Sequence, residues 1–318
     1  MPESEEERKV FERLIDSPAD ELRSSYEPTY SEIAGYHRDT TDTNAIKSFF
    51  RDSFMAYSPN KTTRSQNAER LFKVFEQRRS ILSKFDFITH ENTLLPKGSL
   101  LAELNGYAQI PVIEALFDRK LPMSNLAEFT AGVASLSTVS EAVAYKIERQ
   151  KEYEASHKKK GGFININIDT KSPEIQITAA SYGHNSPELT SFVDGLENYL
   201  TGYNETMKRI DPRHEVVAQD KPVVTRLYNW AELNMQSDDA IKNWQALGKA
   251  HAKNVDEGGM FNEICRTVNL LKQMGKMAQK ASALKEFAEH KGYYETLAKM
   301  SKDAIALVQK ESIFIHGI

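Results

Sequence analysis

Between Asp256 and Lys280 the chain reads DEGGMFNEICRTVNLLKQMGKMAQK, a stretch whose periodicity fits one regular structure, a long helix. At 3.6 residues per turn its side chains separate into two faces. Met260, Ile264, Leu271, Met274 and Met277 fall on an apolar face, widened by Val268, Leu270 and Ala278. Opposite them, at steps of four and three, run Asn262, Arg266, Asn269, Gln273, Lys276 and Lys280. The second stripe carries amides and cations without a carboxylate, and at 1.5 Å per residue it is roughly 27 Å long. Solvated helix faces usually mix both signs. An acid-free stripe of this length fits an extended polyanion, and its six residues are candidate nucleic-acid contacts; the plain alternative is an ordinary surface face.

The rest of the chain is also dominated by helical patterning, and 318 residues suffice for two domains. After an acidic start, Glu3 to Ile15 reads as a helix. Ala19 to Tyr36 can set Tyr26, Tyr30, Ile33 and Tyr36 on one helical face. Asn44 to Tyr57 and Ser65 to Phe85 are two further amphipathic helices, the second basic outside at Arg70, Lys73, Arg78, Arg79 and Lys84. Phe85 to Leu104 then reads as a short strand, a turn at His90-Glu91-Asn92, another short strand and Lys97-Gly98, which together complete a β wing. Three helices followed by a β wing predict a winged-helix-like part over 1–105.

Residues 106–318 predict a helical bundle. Helices are expected at Pro111–Phe117, Asn125–Leu136, Val139–Tyr153, Glu188–Met207, Val223–Leu233, Asp238–Asn254, Ala281–His290 and Tyr294–Val308. A lysine run, HKKKGG, opens an insertion at 155–186 in which Phe163–Asp169 and Glu174–Ala179 alternate apolar and polar residues, predicting a β-hairpin. The chain closes on an extended SIFIHGI tail.

Charge and chemistry narrow the function classes. Net charge is −4, so any nucleic-acid binding has to come from a local patch. The single cysteine, Cys265, excludes an internal disulfide and fits a reducing, cytoplasmic setting. It is expected to be a buried thiol beside the apolar helix face. No apolar run approaches the ~20 residues of a membrane span. Gly248-Lys249 and Gly275-Lys276 lack the spacing and hydroxyl of a phosphate loop, and neither a nucleophile elbow nor paired histidines at ligand spacing occur. Glu114 and Glu128 read as solvated or capping acids. The chain shows no catalytic residue, cofactor-binding residue or metal ligand set of its own.

Three ordered stretches resemble the region that follows the second RecA-like domain in superkiller-type superfamily II helicases, which ends in the DSHCT domain. The first pairs Ser25, Tyr26 and Tyr30 with Ser53 and Phe54. The second, LLPKGSLLAELNGYAQIPVIEALF, matches at Lys97, Gly98, Glu103, Glu114 and Phe117. The third runs from Tyr228, Trp230 and Ala231 to Glu257, Gly258, Arg266, Leu270, Leu271, Gln273 and Met274. The family's first arginine on the long helix is Asn262 here. The resemblance implies a winged helix, a helical bundle and a ratchet helix along which single-stranded RNA or DNA tracks. It further implies RecA-like motor domains as partners in trans, ATP acting only through that motor, and no ATPase activity in this chain. A non-catalytic adaptor that keeps the fold without the strand is the other class of function open to the sequence.

Overall fold

The computed structural model describes residues 26–148, 186–251 and 257–310 with Ile313, except 54, 55, 59, 141, 142, 146 and 213. The expected helix at Glu3–Ile15, the expected hairpin in the 155–186 insertion and the end of the tail lie outside the described residues.

The described chain is mainly α-helical, and several of its helices start where a polar side chain closes their open N–H groups. Helix α1 (Tyr30–Asp39) begins on a reciprocal cap: Thr29 Oγ1 accepts from Glu32 N, and the Glu32 carboxylate accepts from Thr29 N. Asp42 caps α2 (Thr43–Asp52), and Asn60 caps α3 (Lys61–Lys84), a 24-residue helix. Buried Ile33, Phe50, Leu71 and Phe75 join these three helices, with Tyr36 packed edge-on to Phe50 at 5.8 Å. Two of the five basic residues on the outer side of α3 are used in packing, while Arg70, Lys73 and Lys84 are exposed. Arg78 pairs with Glu27 at 2.9 Å and donates to Pro28 O, while Arg79 pairs with Glu76 and donates to Asn92 Oδ1.

The expected wing is smaller than two strands. Thr89 N donates to Thr93 O and Leu95 N to Phe87 O, around a turn in which Asn92 takes φ +67°, and Ile88–Leu94 is a single antiparallel bridge. Helix α4 (Pro96–Leu101) replaces the second half of the expected wing, because Pro96 sits at a helix start, where its missing N–H costs nothing.

Helix α5 (Gln109–Phe117) leads to α6 (Leu126–Thr138), in which every residue from Ala127 to Thr138 is buried. Around α6 pack α7 (Pro187–Ile210), α8 (Lys221–Gln236), α10 (Glu257–Ala283) and α11 (Lys291–Val308), with α9 (Ala240–His251) against α8. A 3-10 turn at Lys285–His290 joins α10 to α11, where a regular helix was expected over Ala281–His290. The helix expected at Val139–Tyr153 starts late: Ser140 exchanges both backbone hydrogen bonds with Ala218, at 3.0 and 3.1 Å, and so cannot be helical.

One buried cluster runs from Phe50 and Phe75 through Leu104 and Ile110 to Leu136 and Met274. Gln109 bonds Ser31 and Leu104 O inside it, tying α1 to α5. A second cluster gathers Trp230, Trp244, Met260, Ile264 and Val308, with Trp230 Nε1 donating to Val308 O at 3.0 Å. No helix among the described residues is long and apolar enough to cross a membrane.

Candidate nucleic-acid interface

Helix α10 has the expected apolar face. Met260, Ile264, Val268, Leu270, Leu271, Met274, Met277 and Ala278 are all buried, against α6, α8 and above all α11. At 27 residues it spans about 40 Å. Its foot is fixed by a buried ion pair: Arg226 Nε and Nη2 reach the two carboxylate oxygens of Glu263 at 2.7 and 2.5 Å.

The expected polar stripe divides into two edges with different fates. Along one edge lies the strap Glu103–Tyr107, the link between α4 and α5. Gln273 pairs with the Asn105 backbone through both its amide groups, at 2.7 and 3.1 Å. The Tyr107 hydroxyl donates to Arg266 O at 2.8 Å, and Arg266 Nη2 donates to Ser137 O at 3.1 Å. Lys280 pairs with Glu103. The strap bends onto the helix through two successive left-handed residues, Gly106 at φ +73° and Tyr107 at φ +59°. Burial raises the Tyr107 pKa, which keeps its phenol a donor. Three of the six candidate residues, Arg266, Gln273 and Lys280, thus hold the strap as well as facing outward.

On the opposite edge α10 meets α11, where a β-carbon added at Gly275 would lie 3.4 Å from that of Ser301. Between the two edges Asn262, Asn269, Lys272, Lys276 and Gln279 are exposed and Cys265 is half-buried. From Gly258 to Ala283 this open strip contains no carboxylate. Lys272 and Lys276 form no ion pair with a described residue, unlike Lys280. Asn262, Asn269 and Lys276 are candidates that the structure leaves open. Lys272 is a member that the sequence reading missed, because a stripe drawn through Arg266 and Gln273 is centred on the edge the strap covers. The signal was present: positions 265, 269, 272, 276 and 279 are equally acid-free and one step round the helix.

Such a strip can bind an anionic chain without reading its sequence, cations supplying affinity and amides adaptable hydrogen bonds. It holds no group poised for proton transfer. Burial raises the Cys265 thiol pKa, which disfavours the reactive thiolate.

The carboxylates expected to be solvated or capping differ. Glu128 is buried and braces the cap of α6 without being the cap: Asn125 Oδ1 accepts from Glu128 N, and the Glu128 carboxylate accepts from Ser124 Oγ and Asn125 Nδ2. Glu114 is instead enclosed and paired with Lys97 at 2.8 Å, because α4 and α5 fold together around it. Burial pushes its carboxyl pKa up, and the Lys97 ammonium opposes that shift. Lys97 Nζ also lies 4.7 Å from the Phe87 ring centroid and 5.9 Å from that of Phe117. Gly98 fits beneath Phe87, where a β-carbon would come 2.2 Å from the Phe87 carbonyl oxygen. Lys97, Gly98, Glu114 and Phe117 therefore form one packed structural cluster rather than an acid–base site.

A cleft of about 380 Å³ elsewhere is lined by Leu200, Val216, Val217 and Pro222, and of its charged residues Glu197, Asp220 and Lys221, the first and last pair at 2.7 Å. Among the described residues no three His, Cys, Asp or Glu side chains are grouped to hold a metal. No protein-family model matches the chain, and comparison with curated proteins gives no match.

Proposed function

We propose that this chain is a C-terminal module of a superkiller-type RNA helicase, a winged-helix-like part followed by a DSHCT-like bundle, that guides single-stranded RNA along α10. ATP hydrolysis would come from RecA-like motor domains, whose motifs these residues do not contain. The observation that carries this reading is the open strip Asn262–Asn269–Lys272–Lys276–Gln279 on α10, the longest helix among the described residues, acid-free and flanked by α11 and the strap. The sequence resemblance at Lys97, Gly98, Glu114 and Phe117 is the other ground for this reading.

Fluorescence anisotropy with a labelled oligouridine tests it. The chain should bind with an affinity that falls steeply between about 50 and 200 mM salt. Lys272→Glu with Lys276→Glu should weaken binding on the order of tenfold or more and flatten the log–log salt slope by about 1.4, roughly 0.7 per lost single-strand phosphate contact. Arg266 is a poorer probe, because reversing its charge also removes its bond to Ser137 O. An absence of salt-dependent binding would favour the adaptor reading, to which the strap's hold on Arg266, Gln273 and Lys280 lends weight.

A further inference from the structure

We infer that Arg38 and Lys280 form a further phosphate site at the far end of the α10 strip, and that the Glu103 carboxylate occupies it in the free protein. The inference rests on the strand-guiding reading and adds to it a residue from the first helix and an internal competitor. Lys272, Lys276 and Lys280 follow one another at four-residue steps, about 6 Å along the helix axis each. The step also turns the series gradually round the helix, from the open strip toward the strap. At its end Lys280 Nζ and Arg38 Nη1 converge on a single oxygen, Glu103 Oε1, the latter at 3.2 Å. The two cations come from α10 and from the last turn of α1, 242 positions apart in the chain, and Arg38 Nε also lies 3.6 Å from the Asp39 carboxylate.

The convergence is half-exposed, with both cationic side chains 52% accessible and Glu103 at 30%. A pair this open contributes little to folding. It does, however, place one anionic oxygen between an ammonium and a guanidinium, an arrangement that a phosphodiester satisfies equally well. Glu103 is presented by the strap, with its N–H on Leu100 O and the next segment clamped by Gln273, so its carboxylate remains beside Lys280 while the strap is docked. A strand running along α10 therefore meets a resident anion at the last step and has to displace it. Glu103 lowers affinity in the free protein and releases two cations when the strand arrives.

Glu103→Gln keeps the side chain's size and removes the charge. In the oligouridine assay it should bind several-fold more tightly than wild type, with a salt slope steeper by about 0.7 to 1.4 as one or two more phosphates engage. Arg38→Gln added to Glu103→Gln should return part of that gain. Glu69→Gln on α3, paired with Lys47, changes net charge equally and should leave binding near wild type. Unchanged or weaker binding by Glu103→Gln overturns the inference, as does an equal gain from Glu69→Gln. If Lys272→Glu/Lys276→Glu still weakens binding in that case, the strand-guiding reading stands and only the competitor fails. If neither wild type nor Glu103→Gln binds, both readings fail. Matching thermal unfolding of wild type and Glu103→Gln separates a loss of the site from a loss of fold.

Discussion

Replacing Glu263 by glutamine should destabilise the chain by more than any surface substitution on α10. Arg226 is 5% exposed and Glu263 17%, and two hydrogen bonds join them in parallel. Removing one charge of a buried pair leaves the other unpaired, which costs ~3–5 kcal/mol. Glutamine retains one acceptor and the site has some access to water, so about 3 kcal/mol is expected. Urea unfolding followed by tryptophan fluorescence is a suitable assay. Trp230 and Trp244 pack edge-on at 5.6 Å in the same small core as Ile264, one residue from the substitution. With a urea dependence near the top of the usual range, about 3 kcal/mol per M, the midpoint should fall by about 1 M. The double variant Arg226→Met/Glu263→Leu should recover most of the loss, because two apolar side chains leave no charge behind. An unchanged midpoint for Glu263→Gln, or a double variant less stable than the single one, would refute the reasoning.

Acidification should destabilise the fold before its carboxylates titrate. His37, His214 and His251 all have pKa values held below their ordinary 6.5, first by burial, with Arg79 adding at His37 and Arg226 at His251. The unfolded chain then binds more protons than the folded one, so stability rises with pH through this window. The urea midpoint should be level above about pH 7.5 and fall from about 6.5 toward 5; a flat profile would contradict this. Gly98→Ala should cost about 3 kcal/mol, the upper end of overpacking penalties, since its β-carbon meets backbone, the Phe87 carbonyl, rather than a flexible side chain. Near-wild-type unfolding by calorimetry would count against that packing.

The apolar face of α10 was legible because burial follows the helical period directly: all eight residues assigned to it are buried. Helix positions elsewhere were readable for the same reason, although the helix expected from Ser65 begins four residues earlier, at Lys61, on the Asn60 cap. The polar stripe was only half legible. A helical wheel separates buried from outward positions, but it cannot tell which outward positions another segment will cover. The strap reaches α10 from more than 150 residues away, as in the Asn105–Gln273 pair, and no local pattern announces that contact. Glu114 shows the same limit. Its spacing gave a solvated or capping acid, whereas its ion-pair partner, Lys97, lies in a helix where the end of the wing was expected. Pro96 at a helix start was the local clue, outweighed there by the turn before it.

The central claim is that single-stranded RNA lies on the open strip of α10. Photocrosslinking with a 4-thiouridine oligonucleotide, followed by peptide mapping, reads its location directly. The account predicts crosslinks concentrated in peptides spanning Asn262 to Gln279 and lost in Lys272→Glu/Lys276→Glu. Crosslinks confined to the basic side of α3 or to the lysine run at 158–160, unaffected by that double reversal, would contradict it.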